Sequence, residues 1–343
     1  MISGVHASRI PHHVPHGPAA TEGESHAPGA ATQAFSLVEI LTTIALLSFI
    51  ILGLFAMFNQ VQRAFRTSMN QVDQLEAGRA VTEMLPRELE QFYPSGFPGL
   101  LAVNFYSQIL DSTPLTQFVP STTTPGTTVL RTDLLADCFF LMRQNQTWVG
   151  VGYCVRTNDI KGRLWLPLVL PGQLGVGSLY RYQASLPVLY PYGDSRSGLP
   201  TDPSVLFAGF KAAIVPGSAA SLNISNRICD GVIHFRFRAF NTNGVLITLP
   251  LRPFSNPPLT TIQWSAVAPG EIGLYQFNSN AVPASLEMEL GILEQHALDR
   301  YLAIGVPAAQ LNYLRSADYF LSSRVHLFRQ RIPVRNVDPS AYQ

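Results

Sequence analysis

An uncharged apolar run at residues 40–58 limits the structures open to this chain more than any other feature of its sequence. Only Thr42, Thr43, Ser48 and Gly53 interrupt the apolar side chains. As a helix, about 19 residues span roughly 28 Å, which matches the hydrocarbon core of a bilayer. The run is apolar on every side, unlike a helix that packs one face on a core. It is also longer than the apolar part of a cleaved secretory signal. We therefore predict a membrane-spanning helix.

A one-sided apolar pattern continues this helix beyond the run. Its members recur mostly three or four positions apart, as on one face of a helix: Val61, Phe65, Met69, Val72, Leu75, Val81, Leu85, Leu89 and Phe92. Pro86 is expected to kink the helix or to mark its last turn. We predict one helix over about 35–92, with a transmembrane half at 35–58 and an amphipathic half at 59–92. The amphipathic half requires a partner surface, on the chain's own globular part or on a neighbouring subunit.

Residues 93–343 are predicted to form a β-rich head. The chain has 25 Gly and 26 Pro, and most of them lie between short apolar runs beyond residue 93, as turns between strands do. A helical segment is expected at 294–316, where Gly305 and Pro307 interrupt helix-forming residues, and a last strand follows near Val325. The fold class is therefore α+β, a long N-terminal helix packed on an antiparallel sheet.

The segment 138–155 predicts a β-hairpin around a polar turn at 144–147. Pairing across this turn would bring Cys138 near Cys154, which permits a cross-strand disulfide in an oxidising compartment. Two buried free thiols are the alternative. The chain has three Cys, so at most one bridge can form.

Two further segments alternate between polar and apolar residues, as half-buried antiparallel strands do. In 231–240 the alternation places Val232, His234, Arg236 and Arg238 on one face; Ile233, Phe235, Phe237 and Phe240 fall largely on the other. In 284–293 it places Glu287 and Glu289 opposite Leu286, Met288 and Leu290. If these strands are neighbours, the two Arg face the two Glu in an exposed pairing. His234 is expected at the surface.

Composition and motifs argue against several functions. A net charge of +1 argues against nucleic-acid binding through bulk charge. The sequence has no phosphate-binding loop, zinc-protease, nucleophile-elbow or paired CxxC motif. We therefore expect no enzyme, no cofactor and no metal site.

The first 34 residues are predicted to be a disordered leader, because they are rich in His, Pro, Gly, Ala and Ser. Five of the eight histidines of the chain lie there, at irregular spacing: His6, His12, His13, His16 and His26. Such a cluster in a polar tail is more typical of solvated sequence than of a metal site.

The stretch "AFSLVEIL" at 34–41, followed by the apolar and then the amphipathic helical pattern, resembles the processing site and stem of the type IV prepilin and pseudopilin superfamily. In the head, the order of "WVGVGYCV", "DGVIHFRFRAFNTNG" and "VPASLEMEL" resembles J-type minor pseudopilins of type II secretion. The size of the chain and the "SSRVHLFRQRIPVRN" ending are also similar to the Verru_Chthon cassette protein C family of pilin-like proteins.

The resemblance implies a pilin-like head and a definite maturation step. A membrane prepilin peptidase would cut between Ala34 and Phe35 and methylate the new amine of Phe35. Glu39 would then be the assembly residue, because an α-amine is charged at neutral pH and the Phe35 amine of a neighbouring subunit would pair with Glu39. The implied partners are this peptidase, other pilin-like subunits and inner-membrane lipid. The protein would be single-pass, with its head in the periplasm or in an extracytoplasmic filament.

The sequence departs from this family at two points. Ala34 stands where the family has glycine, and Arg9 is the only Arg or Lys of the leader. By the positive-inside rule, Arg63 and Arg66 favour the opposite orientation, whereas the processing motif implies a cytoplasmic leader. Two alternatives to a secretion pseudopilin remain open. They are a minor pilin for adhesion or DNA uptake, and a membrane-tethered binding protein or enzyme that uses the stem only as an anchor.

Overall fold

A helix of 53 residues, α1 (Leu37–Leu89), forms the N-terminal part of the computed structural model. The structure describes residues 36–96, 102–110, 115–120, 128–158, 164–165, 176–215, 226–250, 259–315 and 325–335. The leader predicted at 1–34 lies outside the described residues. Over the described range, α1 is continuous through both halves of the predicted helix, and Pro86 lies in its last turn. By its internal contacts the chain divides into two units, Met1–Val61 and Gln62–Gln343.

The second unit contains a large antiparallel sheet and three further helices in its described parts. The strands are β1 (Val103–Ile109), β2 (Leu115–Pro120), β3 (Thr128–Asp133), β4 (Ala136–Gln144), β5 (Thr147–Asn158), β6 (Leu164–Trp165), β7 (Gly177–Pro187), β8 (Asn226–Phe240), β9 (Thr260–Trp264), β10 (Ile272–Asn278), β11 (Ser285–Leu293) and β12 (Val325–Pro333). The helices are α2 (Ser204–Ala213), α3 (Gln295–Ala303) and α4 (Pro307–Arg315).

Ten of these strands form one sheet in the order β12-β11-β8-β7-β5-β4-β1-β10-β9, with β6 paired to β5. Neighbouring strands are antiparallel throughout this order. Strands β2 and β3 pair separately as a two-stranded antiparallel sheet. The predicted α+β class, an N-terminal apolar helix with a large antiparallel sheet, is confirmed.

The predicted hairpin consists of β4 and β5, which pair from Gln144–Thr147 inward to Cys138–Tyr153. A turn of residues 145–146 joins them, and Asn145 has a φ of 53°. Tight hairpin turns require such left-handed backbone, and Asn adopts it more readily than most residues. The short polar turn of this sequence therefore sets the register of the pair.

Opposite faces of the sheet pack against different helices. One core contains Val81, Leu85 and Leu89 from the last turns of α1, together with side chains of the central strands. The second core, on the other face, contains Leu206 and Phe210 of α2. The end of α1 and α2 thus sandwich the central strands.

Two glycines of β5 let α2 approach the sheet closely. A Cβ atom on Gly152 would lie 2.4 Å from Phe210, and one on Gly150 would lie 3.0 Å from Leu206. The ring of Phe210 packs between those of Phe139 and Tyr182, with both ring centroids 5.6 Å away. The ring therefore has two aromatic neighbours, and moving it away from an added Cβ atom would disturb these contacts.

Gly152→Ala is therefore expected to destabilise the head by about 1–3 kcal/mol, the usual range for overpacking a core. Alanine is the better strand residue by roughly 0.5–1 kcal/mol, so a loss of stability would come from the collision with Phe210. Urea unfolding of the full chain in detergent would measure the change. Gly305→Ala is the control, because the space around Gly305 is open. Equal midpoints for Gly152→Ala and the unmodified chain would contradict this packing.

The predicted assignment of faces in β8 is wrong at three residues. The pairing of β8 with β11 skips Ile233, because Gly291 pairs with His234 and Ile292 with Val232. This bulge turns Val232 into the core of Phe235 and Phe237, and Ile233 into a separate core with α3 and α4. Phe240 lies under the guanidinium of Arg331, on the charged face. A bulge adds one unpaired residue to a strand, so the alternation of side chains between the two faces is interrupted there.

The predicted helical segment at 294–316 is present as α3 and α4. Helix α3 ends at Ala303 before Gly305, and α4 begins at Pro307, a residue suited to a first helical turn because its missing N–H has no partner there anyway. The two helices share a core with Leu115 of β2 and Leu293 of β11.

Candidate assembly site and the charged cluster of the head

Glu39 lies in the first turn of α1 and is exposed. The predicted processing residues Ala34 and Phe35 lie outside the described residues. The backbone carbonyl of Ser36 accepts hydrogen bonds from the N–H groups of Glu39 and Ile40 at 2.9 and 3.2 Å. A carboxylate at this end of a helix also gains from the positive end of the helix dipole. The assembly residue predicted from sequence is thus at a helix start, next to where the new N-terminus would lie.

The hydroxyls of the apolar run are satisfied within α1. Thr42 donates to the carbonyl of Glu39 at 2.9 Å, Thr43 to that of Ile40 at 2.9 Å, and Ser48 to that of Ile44 at 2.8 Å. Such bonds remove the cost of placing a hydroxyl in lipid. The polar interruptions of the run are therefore compatible with a bilayer.

The described chain contains one helix that is long and apolar enough to cross a membrane, at Leu37–Arg66. Its most apolar window has a mean hydropathy of 2.5, and none of that window is buried by protein. Length and composition are thus consistent with membrane anchoring near the N-terminus.

The apolar stripe of the second half of α1 is divided into an exposed and a buried part. Val81, Leu85 and Leu89 are fully buried on the sheet. The earlier members of the stripe are exposed: Val61 by 41%, Phe65 by 65%, Met69 by 65%, Val72 by 50% and Leu75 by 47%. Among the residues that the structure describes, the head therefore covers the C-terminal part of the stripe and leaves the earlier part exposed.

Several contacts hold the end of α1 to the head. Arg181 of β7 pairs with Glu88 at 2.6 Å, and the hydroxyl of Tyr153 donates to the other oxygen of Glu88 at 2.5 Å. The side chains of Tyr153 and Glu88 are both largely buried, and burial raises the pKa of Tyr153. Gly78 contacts the ring of Phe328, which a Cβ atom there would meet at 2.2 Å. The docking is thus both polar and steric.

The charged residues of β8 and β11 face each other as predicted. Arg238 pairs with Glu287 across the strands and Arg236 with Glu289. Arg236 Nε lies 2.5 Å from Glu289 Oε2. Glu271, which precedes β10, lies 2.8 Å from Arg236 and 3.1 Å from Arg238. The sequence pattern therefore found the partners, but it missed Glu271.

The prediction that this pairing is exposed is wrong, because Glu287 and Glu289 are only 8% and 5% exposed. Arg329 of β12 lies 2.8 Å from Glu287 and 3.3 Å from Glu289 and adds a third row of charge. The alternation "FRQRI" in 328–332 was the available signal for this third strand. Burial by itself would raise the pKa of Glu289, but hydrogen bonds from His234 and Arg236 outweigh it and hold the pKa below its usual range.

The expected surface position of His234 is also wrong, because the side chain is 3% exposed. The N–H of Leu134 donates to Nδ1 at 3.0 Å, and Nε2 lies 3.3 Å from Glu289 Oε2. Since Nδ1 accepts a hydrogen bond, the ring proton is on Nε2 and points at the carboxylate. Both ring nitrogens are engaged, and His234 links the β3–β4 connection to the charged cluster.

Cys138 and Cys154 are buried free thiols that do not form a bridge, and Cys229 is likewise free. Cys138 pairs with Tyr153, one residue before Cys154. Adjacent residues of a strand point to opposite faces, and the two thiols accordingly lie in the two different cores. The hairpin was predicted correctly, but its register separates the thiols. Burial raises the pKa of both thiols.

Among the described residues, no group of three His, Cys, Asp or Glu side chains is placed to hold a metal ion. The five leader histidines lie outside the described residues, so the structure does not bear on that cluster.

Comparisons of the chain with protein-family models, with curated proteins and with solved structures found no match. Function has to be inferred from the residues and their geometry.

The depressed pKa of Glu289 predicts a pH-dependent stability difference between the unmodified chain and Glu289→Gln. The stabilisation by the carboxylate is complete above the unfolded pKa of 4.5. Below that pH the unfolded state takes up a proton that the folded state does not bind. The stabilisation by the Glu289 carboxylate therefore decreases, by at most about 1.4 kcal/mol for each pH unit. We expect the advantage of Glu289 to shrink between pH 6 and pH 3 in urea unfolding. An advantage that stays constant over this range would contradict the assigned pairing.

Proposed function

We propose that this protein is a non-enzymatic, pilin-like structural subunit of a type II secretion or type IV pilus-like filament. Prepilin peptidase would cut it between Ala34 and Phe35 and methylate Phe35. The observation that carries the proposal is the exposed apolar stripe on α1, whose members Met69, Val72 and Leu75 lie beyond the membrane-length segment Leu37–Arg66 and are not covered by the described part of the head.

The stripe has the spacing of a helix-packing surface. Phe65, Met69, Val72 and Leu75 follow one another by three or four residues, so they lie on one face of α1. Contiguous exposed apolar residues mark interaction sites more often than ordinary surface. In a filament, the stems of neighbouring subunits would cover this surface.

Glu39 supports the same arrangement. It is the one charged residue between residue 36 and Gln62, and a carboxylate in a membrane helix costs about 2.5–3.5 kcal/mol at mid-bilayer depth on insertion scales and less near the interface. The amine of a processed Phe35 on a neighbouring subunit would offset this cost, because attraction between opposite charges is stronger in a low-dielectric setting. The pairing would favour transfer of the stem from the bilayer into a bundle of stems.

The head is compatible with this role. In the proposal it is a pilin-like head whose antiparallel sheet packs on the last turns of the stem, with α2, α3 and α4 as additions. The protein would be anchored once in the inner membrane, with its head in the periplasm or in an extracytoplasmic filament.

Removal of the carboxylate tests assembly. Glu39→Ala and Glu39→Val are expected to lower the recovery of co-purifying pilin-like subunits, or of sheared filaments, by at least about tenfold, the ratio that about 1.4 kcal/mol produces. Glu76→Ala is the matched control, an exposed carboxylate on the same helix. If the Glu39 variants assemble like the control, the pairing is refuted and a membrane-tethered binding protein or enzyme becomes the better explanation.

Mass spectrometry of the mature protein tests processing separately. The expected N-terminus is a methylated Phe35. Residues 1–34 still attached in a strain with an active prepilin peptidase would contradict the family assignment, whatever the result with Glu39.

A further inference from the structure

Strand β12 is an edge of the large sheet, and its outer edge has no strand partner in the described part of the chain. Nine consecutive residues of β12 pair with β11 without a bulge, from Ser285–Pro333 to Leu293–Val325. An edge of this length presents a row of backbone donors and acceptors to any extended chain.

The register shows which backbone groups point outward. The N–H of Val334 donates to the carbonyl of Ala284 at 3.0 Å, so this is a hydrogen-bonded pair of the ladder. Hydrogen-bonded pairs alternate with non-bonded ones in antiparallel strands. The backbone groups of Leu327, Arg329 and Arg331 therefore point away from β11. They repeat every second residue, as the ladder of an added strand requires.

The side chains along this edge carry positive charge. Leu327 is 47% exposed, and Arg329 and Arg331 are exposed as well. Arg331 stacks on the ring of Phe240 and donates to the hydroxyl of Ser285 at 3.0 Å. No described carboxylate lies within ion-pair distance of Arg331. Arg329 already pairs with Glu287 and Glu289 of β11, so Arg331 is the arginine of this edge that has no anionic partner among the described residues.

We propose that the outer edge of β12 binds an extended segment of another protein, with acidic residues at alternate positions, as an added antiparallel strand. Backbone hydrogen bonds would provide affinity, and an acidic side chain opposite Arg331 would provide selectivity. A second copy of this chain is a poor occupant, because registers centred on 329–331 place Arg opposite Arg. This site is independent of stem assembly, since it involves the head alone.

The binding experiment uses the full chain in detergent micelles and two fluorescent peptides, one of alternating Val and Glu and one of alternating Val and Lys. The glutamate peptide is expected to bind, and Arg331→Glu is expected to weaken it at least about tenfold. Arg335→Glu is the matched control, because Arg335 lies beyond the strand and pairs with Glu90. Amide hydrogen exchange should show new protection within 325–333.

Two variants at Leu327 test the backbone ladder. Leu327→Pro removes one outward N–H without removing a bond to β11, a position where an edge strand tolerates proline, and it is expected to weaken binding at least about tenfold. Leu327→Ala keeps that N–H and is expected to bind within about twofold of the unmodified chain, a shift well under the 1.4 kcal/mol of a tenfold change.

A modified peptide covers the case in which the proline variant fails to fold. Glutamate peptides N-methylated at alternate amides can pair through only one edge. The peptide that is methylated on the pairing edge should lose binding to the unmodified protein, and the other should keep it. The proposal is overturned if the glutamate peptide does not bind. Equal binding of the lysine peptide, or of both methylated peptides, would overturn it as well.

Discussion

Glu289→Ala is expected to lower the free energy of unfolding of the head by about 3–5 kcal/mol, the range observed when one partner of a buried ion pair is removed. The variant leaves Arg236 buried without its 2.5 Å contact and removes the acceptor of the His234 ring. Arg329 loses one of its two carboxylates. The largely buried guanidinium of Arg236 keeps Glu271 as its remaining counter-charge, so the main cost is that part of its charge is left uncompensated in a low-dielectric setting.

Urea unfolding at neutral pH, with the full chain in detergent, measures this loss. The control is Glu83→Ala, because Glu83 forms an ion pair with Arg79 on the exposed surface of α1. Exposed pairs of this kind stabilise little, so the midpoint should not move. If the two variants behave alike, the cluster around Glu289 is solvated and its burial has no energetic consequence.

Leu85→Ala is expected to cost about 2–5 kcal/mol, the usual loss for a large-to-small change in a core. Leu85 is fully buried in the core between α1 and the sheet. The change should release the end of α1 from the head. Unfolding midpoints and amide exchange along residues 78–92 would both report it.

Leu75→Ala is the matched variant on the same helix, 47% exposed where Leu85 is not exposed at all. It is expected to leave the unfolding midpoint unchanged and, under the proposed function, to reduce filament yield. Leu85→Ala should act first on stability. A loss of stability in Leu75→Ala would mean that the exposed part of the stripe is already covered within one chain, which contradicts the proposed use of that surface.

The charged cluster shows where inference from the sequence succeeds and where it ends. Alternation in two segments was sufficient to predict that Arg236 faces Glu289 and that Arg238 faces Glu287, because side chains repeat every two residues in a strand. It did not predict burial. The groups that contact this charged cluster belong to β12, to Glu271 and to the connection near Leu134, and all of them are distant from it in the sequence.

The cysteines show a similar limit at the level of one residue. The hairpin that places 138 and 154 on neighbouring strands follows from its turn and its flanking strands. Whether Cys138 faces Cys154 depends on the register, and a shift of one residue moves a side chain to the other face. The same sensitivity explains Val232 and Ile233, where one bulge exchanged the faces.

The sequence by itself determined the features that depend on neighbours along the chain. These are the long helix and its membrane-length apolar part, the β4–β5 hairpin, the helical segment that contains α3 and α4, and the alternating strands. Each follows from a period or a turn that a short segment contains. Only the tertiary structure decided how far the described part of the head covers the stripe on α1, which charges are buried, and that β12 is the last strand at one side of the described sheet. Whether a residue is buried, and whether a strand lies at an edge, depends on which distant parts of the chain pack against it. The periodicity of a short segment contains no information about those distant parts.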